Sequence, residues 1–224
     1  MQVLRDSPLY IAAARLGDNA AATDRRERRR RQSAATRALA AAVVEKATRL
    51  SPAEWDLMAD VQGRPLVARK DGRTAPDLSI SHCRDVAACA VVHDGRIGID
   101  VEQGRAGRRY REIANAFLSP AECQAVAANG GDAFLTSWVL REAMAKAEGT
   151  GLAGALALPG DWIAGVHDAT RIVTVNDRRW IVAHRAHGDL HLAIAWLPGR
   201  LVDGWAQHVD GEIDRAMRDL APSP

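Results

Sequence analysis

The stretch VAACAVVHDGRIGIDVE, residues 86–102, decides how the chain is read. Val86 to Val92 is a continuous apolar run, His93-Asp94-Gly95-Arg96 contains the Asp-Gly turn dipeptide, and Ile97 to Val101 resumes apolar character. Run, turn and run together predict a β-hairpin. On its second strand Ile97, Ile99 and Val101 alternate with Gly98, Asp100 and Glu102, so the two acids leave the same face. Paired carboxylates at the end of such a strand either turn to solvent or hold a cation. The strand alone does not choose between them.

Upstream, Thr23 to Leu50 is rich in Ala, Arg, Leu and Glu with no Gly or Pro, which predicts a long helix. Ser51-Pro52 with Glu54 following predicts a second, short helix, ended by Gly63 and Pro65. Leu66 to Ala68 and Leu78 to Ser81 read as short extended segments.

Downstream of a Gly- and Arg-rich linker come two helices, Tyr110 to Phe117 and one opened by the capping box Ser119-Pro120-Ala121-Glu122. Gly130-Gly131 breaks the latter, and a longer helix runs from about Ala133 to Glu148 until Gly149 and Gly151. Strands at Arg171–Val175, Trp180–His184 and Leu190–Trp196 follow, then a short helix and a frayed tail. Both halves therefore run from a long helix into antiparallel strands. The expected fold class is α+β: two similar lobes, residues 1–104 and 105–209, with a tail over 210–224.

Composition narrows the function classes. An apolar fraction of 47% and a charged fraction of 26% are those of an ordinary folded domain. The net charge of +2 does not argue for nucleic acid, although six arginines fall between Arg25 and Arg31. Nucleic-acid binding would also require stacking aromatics or a recognition motif, and Thr23 to Leu50 contains neither. Cys83, Cys89 and Cys123 cannot all pair and lack zinc-site spacing, which points to a reducing cytoplasm. Leu9 to Ala14 is too short for a signal-peptide core, and no segment approaches the ~20 apolar residues of a membrane span.

A third acid lies on the 133–148 helix. Trp138, Glu142 and Lys146 recur every fourth residue and share one face. A surface Glu–Lys pair would look the same. If the acids do converge, hard oxygen ligands without Cys or a His set suit Mg²⁺, which is normally completed by substrate phosphates. Arg141, Lys146, His82 and the arginine run could then bind the rest of a phosphorylated ligand.

Taken in order, five segments resemble the long, two-lobed class of the 4'-phosphopantetheinyl transferase superfamily. They are Gly63-Arg64-Pro65, Ser79-Ile80-Ser81-His82-Cys83, Gly98-Ile99-Asp100-Val101-Glu102, Phe117-Leu118-Ser119-Pro120-Ala121-Glu122, and Trp138 to Lys146 followed by Gly149 and Gly151. The resemblance implies a pseudo-dimer of two α+β lobes, with coenzyme A bound at their junction. It implies Asp100, Glu102 and Glu142 as Mg²⁺ ligands, and His82 and Lys146 on the phosphates. It also implies Arg37, Arg64, Ser81 and Arg141 as contacts to the coenzyme.

The implied partners are apo acyl or peptidyl carrier proteins, with no nucleic acid and no membrane, and the implied state is a monomer. Glu142 or Glu122 would take the serine proton, a choice left open here, with Lys146 or His82 steadying the leaving phosphate. Three positions depart from the family pattern: Arg141 where Lys is usual, Cys83 where Ser is usual, and Leu78-Ser79 where an aromatic and Asn are common. The rival reading is a non-catalytic module that binds coenzyme A or a carrier protein.

Overall fold

The computed structural model describes residues 8–16, 24–61 and 63–220. Nine strands and six α-helices occur among them: β1 (Leu9–Arg15), α1 (Arg25–Thr48), β2 (Trp55–Ala59), β3 (Pro65–Arg69), β4 (Asp77–Cys83), β5 (Val86–Val92), β6 (Arg96–Gln103), α2 (Tyr110–Phe117), α3 (Pro120–Asn129), α4 (Gly131–Glu148), α5 (Gly151–Ala157), β7 (Thr170–Val175), β8 (Arg178–His187), β9 (Leu190–Leu197) and α6 (Trp205–Leu220). They form three antiparallel sheets, ordered β1-β5-β4, β2-β3 and β6-β9-β8-β7. The α+β class expected from the sequence is the one observed.

Packing explains why β5 is apolar at every position. Cys89 and Val91 face α1, which presents Ala40, Val43, Val44 and Ala47 at helical spacing. Val86, Ala88, Ala90 and Val92 face the other way, into a central core shared with Ile97, Ile99 and Val101 of β6, Ile194 and Trp196 of β9, and Val209, Ile213 and Leu220 of α6. On the far side of the second sheet, Ala193, Ala195 and Val182 pack on Val139, Leu140, Ala143 and Met144 of α4. The layers therefore run α1, three-stranded sheet, four-stranded sheet, α4.

Three expectations are corrected. Val86–Val92 and Ile97–Val101 are not a hairpin: β5 pairs with β1 and β4, whereas β6 pairs with β9. Both edges of β5 are occupied, and after the Asp94-Gly95 turn the chain crosses to the second sheet, where Trp196 Nε1 donates to the Asp94 carbonyl at 2.9 Å. The capping box at Ser51 does form, but only one turn of 3₁₀ helix follows before β2 begins at the buried Trp55. Residues 210–220 are not a tail; they complete the 16-residue α6, whose Val209, Ile213, Ala216 and Leu220 are buried.

The two main sheets meet at β4 and β6 through side chains. Asp77 Oδ2 accepts from Ile97 N at 2.8 Å, Ser79 Oγ from Ile99 N at 3.1 Å, and Ser81 Oγ from Val101 N at 3.3 Å. Alternate residues of β4 thus satisfy alternate backbone donors of β6, without a ladder between the strands.

On the other side of β6, Gly98 lets α4 come close. A Cβ at Gly98 would stand 1.7 Å from the Ala143 carbonyl oxygen and 2.7 Å from Ala147 N. Gly98→Ala is therefore expected to lose about 2–3 kcal/mol or more in a urea melt, because backbone rather than a flexible side chain must yield. Unchanged stability would show that this contact is not needed.

Candidate active site

The β4–β6 junction and α4 line a cleft of about 580 Å³, a size suited to a small organic ligand. Asp100, Glu102, Glu142 and Lys146 face it, with Arg64, Ser81, His82 and Trp138. Strand period brings Asp100 and Glu102 to one side of β6. Helical period brings Trp138, Glu142 and Lys146 to one side of α4, and the Gly98 contact joins the two elements.

Asp100 is the centre of the arrangement. It is buried, and its Oδ1 accepts from Ser81 Oγ and from Lys146 Nζ, both at 2.7 Å. Lys146 Nζ also donates to the Ile99 carbonyl at 3.1 Å. Asp100 Oδ2 is buried with no hydrogen-bond partner, which is costly for a carboxylate oxygen. Burial, and after it the Asp100 charge, raises the pKa of Glu102 and of Glu142 above the usual carboxylate range, with Lys146 opposing in both cases.

Negative charge is therefore under-compensated at this spot. An orphaned carboxylate oxygen and two neighbouring acids with raised pKa fit a hard divalent cation such as Mg²⁺. The three carboxylates do not themselves converge to within 4.8 Å of one another.

His82 stands exposed at the cleft mouth, where desolvation and then the Lys146 charge lower its pKa, against the opposing pull of Asp100. Arg64 is ion-paired to Asp77 at 2.7 Å. Arg37, exposed on α1, lines a smaller adjoining hollow with Met58 and shares Gly63, Pro65, Ile80 and His82 with the cleft.

Two expected site residues lie elsewhere. Arg141 precedes Glu142 by one residue, so it is turned about 100° around α4, away from the cleft and into a buried fork with Glu122. Its Nε donates to Glu122 Oε1 at 2.8 Å, and Nη1 donates to the carbonyls of Ala155 at 2.9 Å and Leu158 at 2.7 Å. Desolvation acts to raise the Glu122 pKa, but hydrogen bonds from Arg141 and Ser119 outweigh it and hold the group below the usual range.

Cys83 is also set aside. Burial, then the charges of Glu102 and Asp100, pushes its thiol up to about 12, so it is not a nucleophile near neutrality. The sequence reading missed the parts of Asp77 and Ser79 in the junction. Their period-2 spacing with Ser81 was the available signal.

Residues 96–195, from the start of β6 almost to the end of β9, match the family model described as the 4'-phosphopantetheinyl transferase superfamily. The superfamily resemblance carried by the GIDVE and WVLREAMAK segments is thereby borne out. HetI of Nostoc sp., named a 4'-phosphopantetheinyl transferase, is 28% identical over 96 residues, 41% of this chain and 40% of that protein. The protein slr0495 of Synechocystis sp., provisionally given the same name, is 27% identical over 99 residues, 42% of this chain and 40% of that protein. The chain thus spans about two fifths of the length of these relatives.

Among the described residues no helix is long and apolar enough to cross a membrane.

Proposed function

We propose, from the superfamily match of residues 96–195 and the cleft that β6 and α4 line, that the chain transfers 4'-phosphopantetheine from coenzyme A to a serine of an apo acyl or peptidyl carrier protein. The observation that carries this reading is the buried, unpartnered Oδ2 of Asp100 beside Glu102, Glu142 and Lys146. Two related lobes completing one site within a single chain make a monomer the simplest state. Neither nucleic acid nor membrane is a partner in this reading.

Asp100, Glu102 and Glu142 would hold Mg²⁺, which when bound offsets pyrophosphate charge during the displacement. Glu142 accepts the proton of the attacking serine. In the metal-free cleft burial and the Asp100 charge raise its pKa, and a bound cation opposes that shift. The serine oxygen bonds to the phosphorus attached to pantetheine, the pyrophosphate P–O bond breaks, and 3',5'-adenosine bisphosphate leaves. Lys146, one hydrogen bond from Asp100, turns to the departing phosphate, and His82 contacts it from the cleft mouth. Arg64 and Arg37 extend the positive lining toward the 3'-phosphoadenosine end.

Incubation with coenzyme A, Mg²⁺ and several apo carrier proteins is expected to give the phosphopantetheine mass increase on a carrier serine. Coenzyme A binding with no mass increase on any carrier would leave a non-catalytic binding module instead.

The pH profile supplies a second check. Glu142 must be ionised to accept the proton, and its pKa is raised. At low Mg²⁺ the acid limb of kcat/KM should therefore lie above the pH at which an unperturbed glutamate titrates. It should move down as Mg²⁺ saturates, because a bound cation favours the ionised carboxylate, and it should vanish in the residual activity of Glu142→Gln. An acid limb identical in both proteins would remove Glu142 from the role of base.

A further inference from the structure

We infer that His167, Asp168 and His184 form a second cation site, for a divalent first-row transition metal, separate from the cleft. Among the described residues this is the only group of three or more His, Cys, Asp or Glu side chains whose ligand atoms all lie within 4.8 Å of one another. His167 and Asp168 precede β7, and His184 lies on β8. Asp132, which organises them, sits in the first turn of α4, about 15 Å along the helix from Glu142 at 1.5 Å per residue.

The polarity of the hydrogen bonds points to a cation. The Asp132 carboxylate only accepts. His167 Nε2 is 3.1 Å from Asp132 Oδ2, and His191 Nε2 is 3.1 Å from Asp132 Oδ1, so both rings donate there. His191 Nδ1 then accepts from His184 Nε2, 3.1 Å away. In their neutral forms, His167 and His184 are left presenting Nδ1 lone pairs.

Both nitrogens lie close to one carboxylate. His184 Nδ1 is 3.7 Å from Asp168 Oδ1, and His167 Nδ1 is 3.7 Å from Asp168 Oδ2. The His184 Nδ1 lone pair is met by the Asp168 backbone N–H, whereas the His167 Nδ1 lone pair and the Asp168 carboxylate oxygen repel one another unless positive charge lies between them. Ligands on a tetrahedral ion with bonds of about 2.1 Å stand about 3.4 Å apart, so the two carboxylate edges need close by only a few tenths of an ångström. An ion on His184 Nδ1 takes the place of the hydrogen bond that the Asp168 backbone N–H donates there at 3.1 Å.

The surroundings match what such sites require. Each imidazole ligand donates its other N–H, directly or through His191, to Asp132, the outer-shell partner that fixes tautomer and orientation. Asp168 is itself held, its Oδ1 accepting from Ala186 N at 2.7 Å. Two imidazoles and one carboxylate suit Zn²⁺, Fe²⁺ or Co²⁺ over Mg²⁺, and three protein ligands leave positions open. His167 and Asp168 have side chains 47% and 48% exposed, which gives the ion an entry path to the fully buried His184.

The test is titration of the full chain with Zn²⁺ by calorimetry and with Co²⁺ by visible absorption, in excess Mg²⁺ to occupy the cleft. One ion per chain is expected, with a Co²⁺ d–d spectrum. The exposed substitutions His167→Gln and Asp168→Asn should each weaken binding at least about tenfold, with folding verified by circular dichroism, while Asp100→Asn binds like the parent chain. The inference is overturned if no ion binds, if His167→Gln and Asp168→Asn bind as the parent does, or if Asp100→Asn is the substitution that abolishes binding. It is equally overturned if NMR finds His167 protonated against Asp168 and no ion displaces that proton.

Discussion

Asp100→Asn lowers kcat by on the order of 10³-fold while the chain stays folded, since losing the carboxylate that would hold the charge-neutralising cation removes at least as much as a single preorganised oxyanion contact, which is worth about 10²–10³. The substitution is chosen to be nearly isosteric. Its amide oxygen can still accept from Ser81 and Lys146, the two groups that meet Asp100 Oδ1 at 2.7 Å. What disappears is the charge and the unpartnered Oδ2.

Stability should respond differently. Glu102 and Glu142 have raised pKa values in the fold, so they favour the unfolded chain near neutrality, and that cost is relieved as pH falls through their raised pKa. Removing the Asp100 charge eases the same repulsion and offsets part of the lost Lys146 ion pair. The melting temperature should then move by only a few degrees. Mg²⁺ should raise the melting temperature of the parent chain, by about 1.4 kcal/mol of stability at tenfold excess over its Kd, and leave Asp100→Asn unaffected. A variant retaining kcat within tenfold, or gaining the same protection from Mg²⁺, would take Asp100 out of the metal site.

What was legible in the sequence follows the range of each signal. Strand period put Asp100 and Glu102 on one face, helical period put Glu142 and Lys146 on one face, and both placements hold because they depend only on local backbone geometry. Partner choice does not. The chain does turn at Asp94-Gly95, yet β5 and β6 part there, because β5 is already paired on both edges and β6 finds β9 about ninety residues on. The Ser51 capping box formed, and the alternating Trp55 and Leu57 then drew the chain into a strand.

Arg141 shows the same limit at side-chain scale. Motif order grouped it with Glu142, whereas helix geometry turns it away. The His167, Asp168 and His184 group was illegible for a different reason. Its members come from a loop and a strand, and they are tied by Asp132 from α4 and His191 from β9, with no common spacing in the chain.

Glu122→Ala is expected to produce the largest loss of stability, about 3–5 kcal/mol, because it strands a buried charge. Arg141 is 2% exposed and Glu122 4%. Arg keeps its proton under all ordinary conditions, so the guanidinium cannot escape by neutralising. It also cannot leave, because Nη1 ties α4 to the carbonyls of Ala155 and Leu158 at the end of α5. The pocket is built to fit the acid: a Cβ on Gly160 would stand 2.2 Å from Glu122 Oε2.

For a chain of this length, such a loss lowers the melting temperature by about 10 °C or more. The measurement also decides the role that sequence order left open for Glu122. A fork that only holds α3, α4 and α5 together predicts a low melting temperature with kcat per folded molecule within a few-fold of the parent. A general base predicts the reverse, an unchanged melting temperature with kcat collapsed, and that result would return the serine proton to Glu122 and remove it from Glu142.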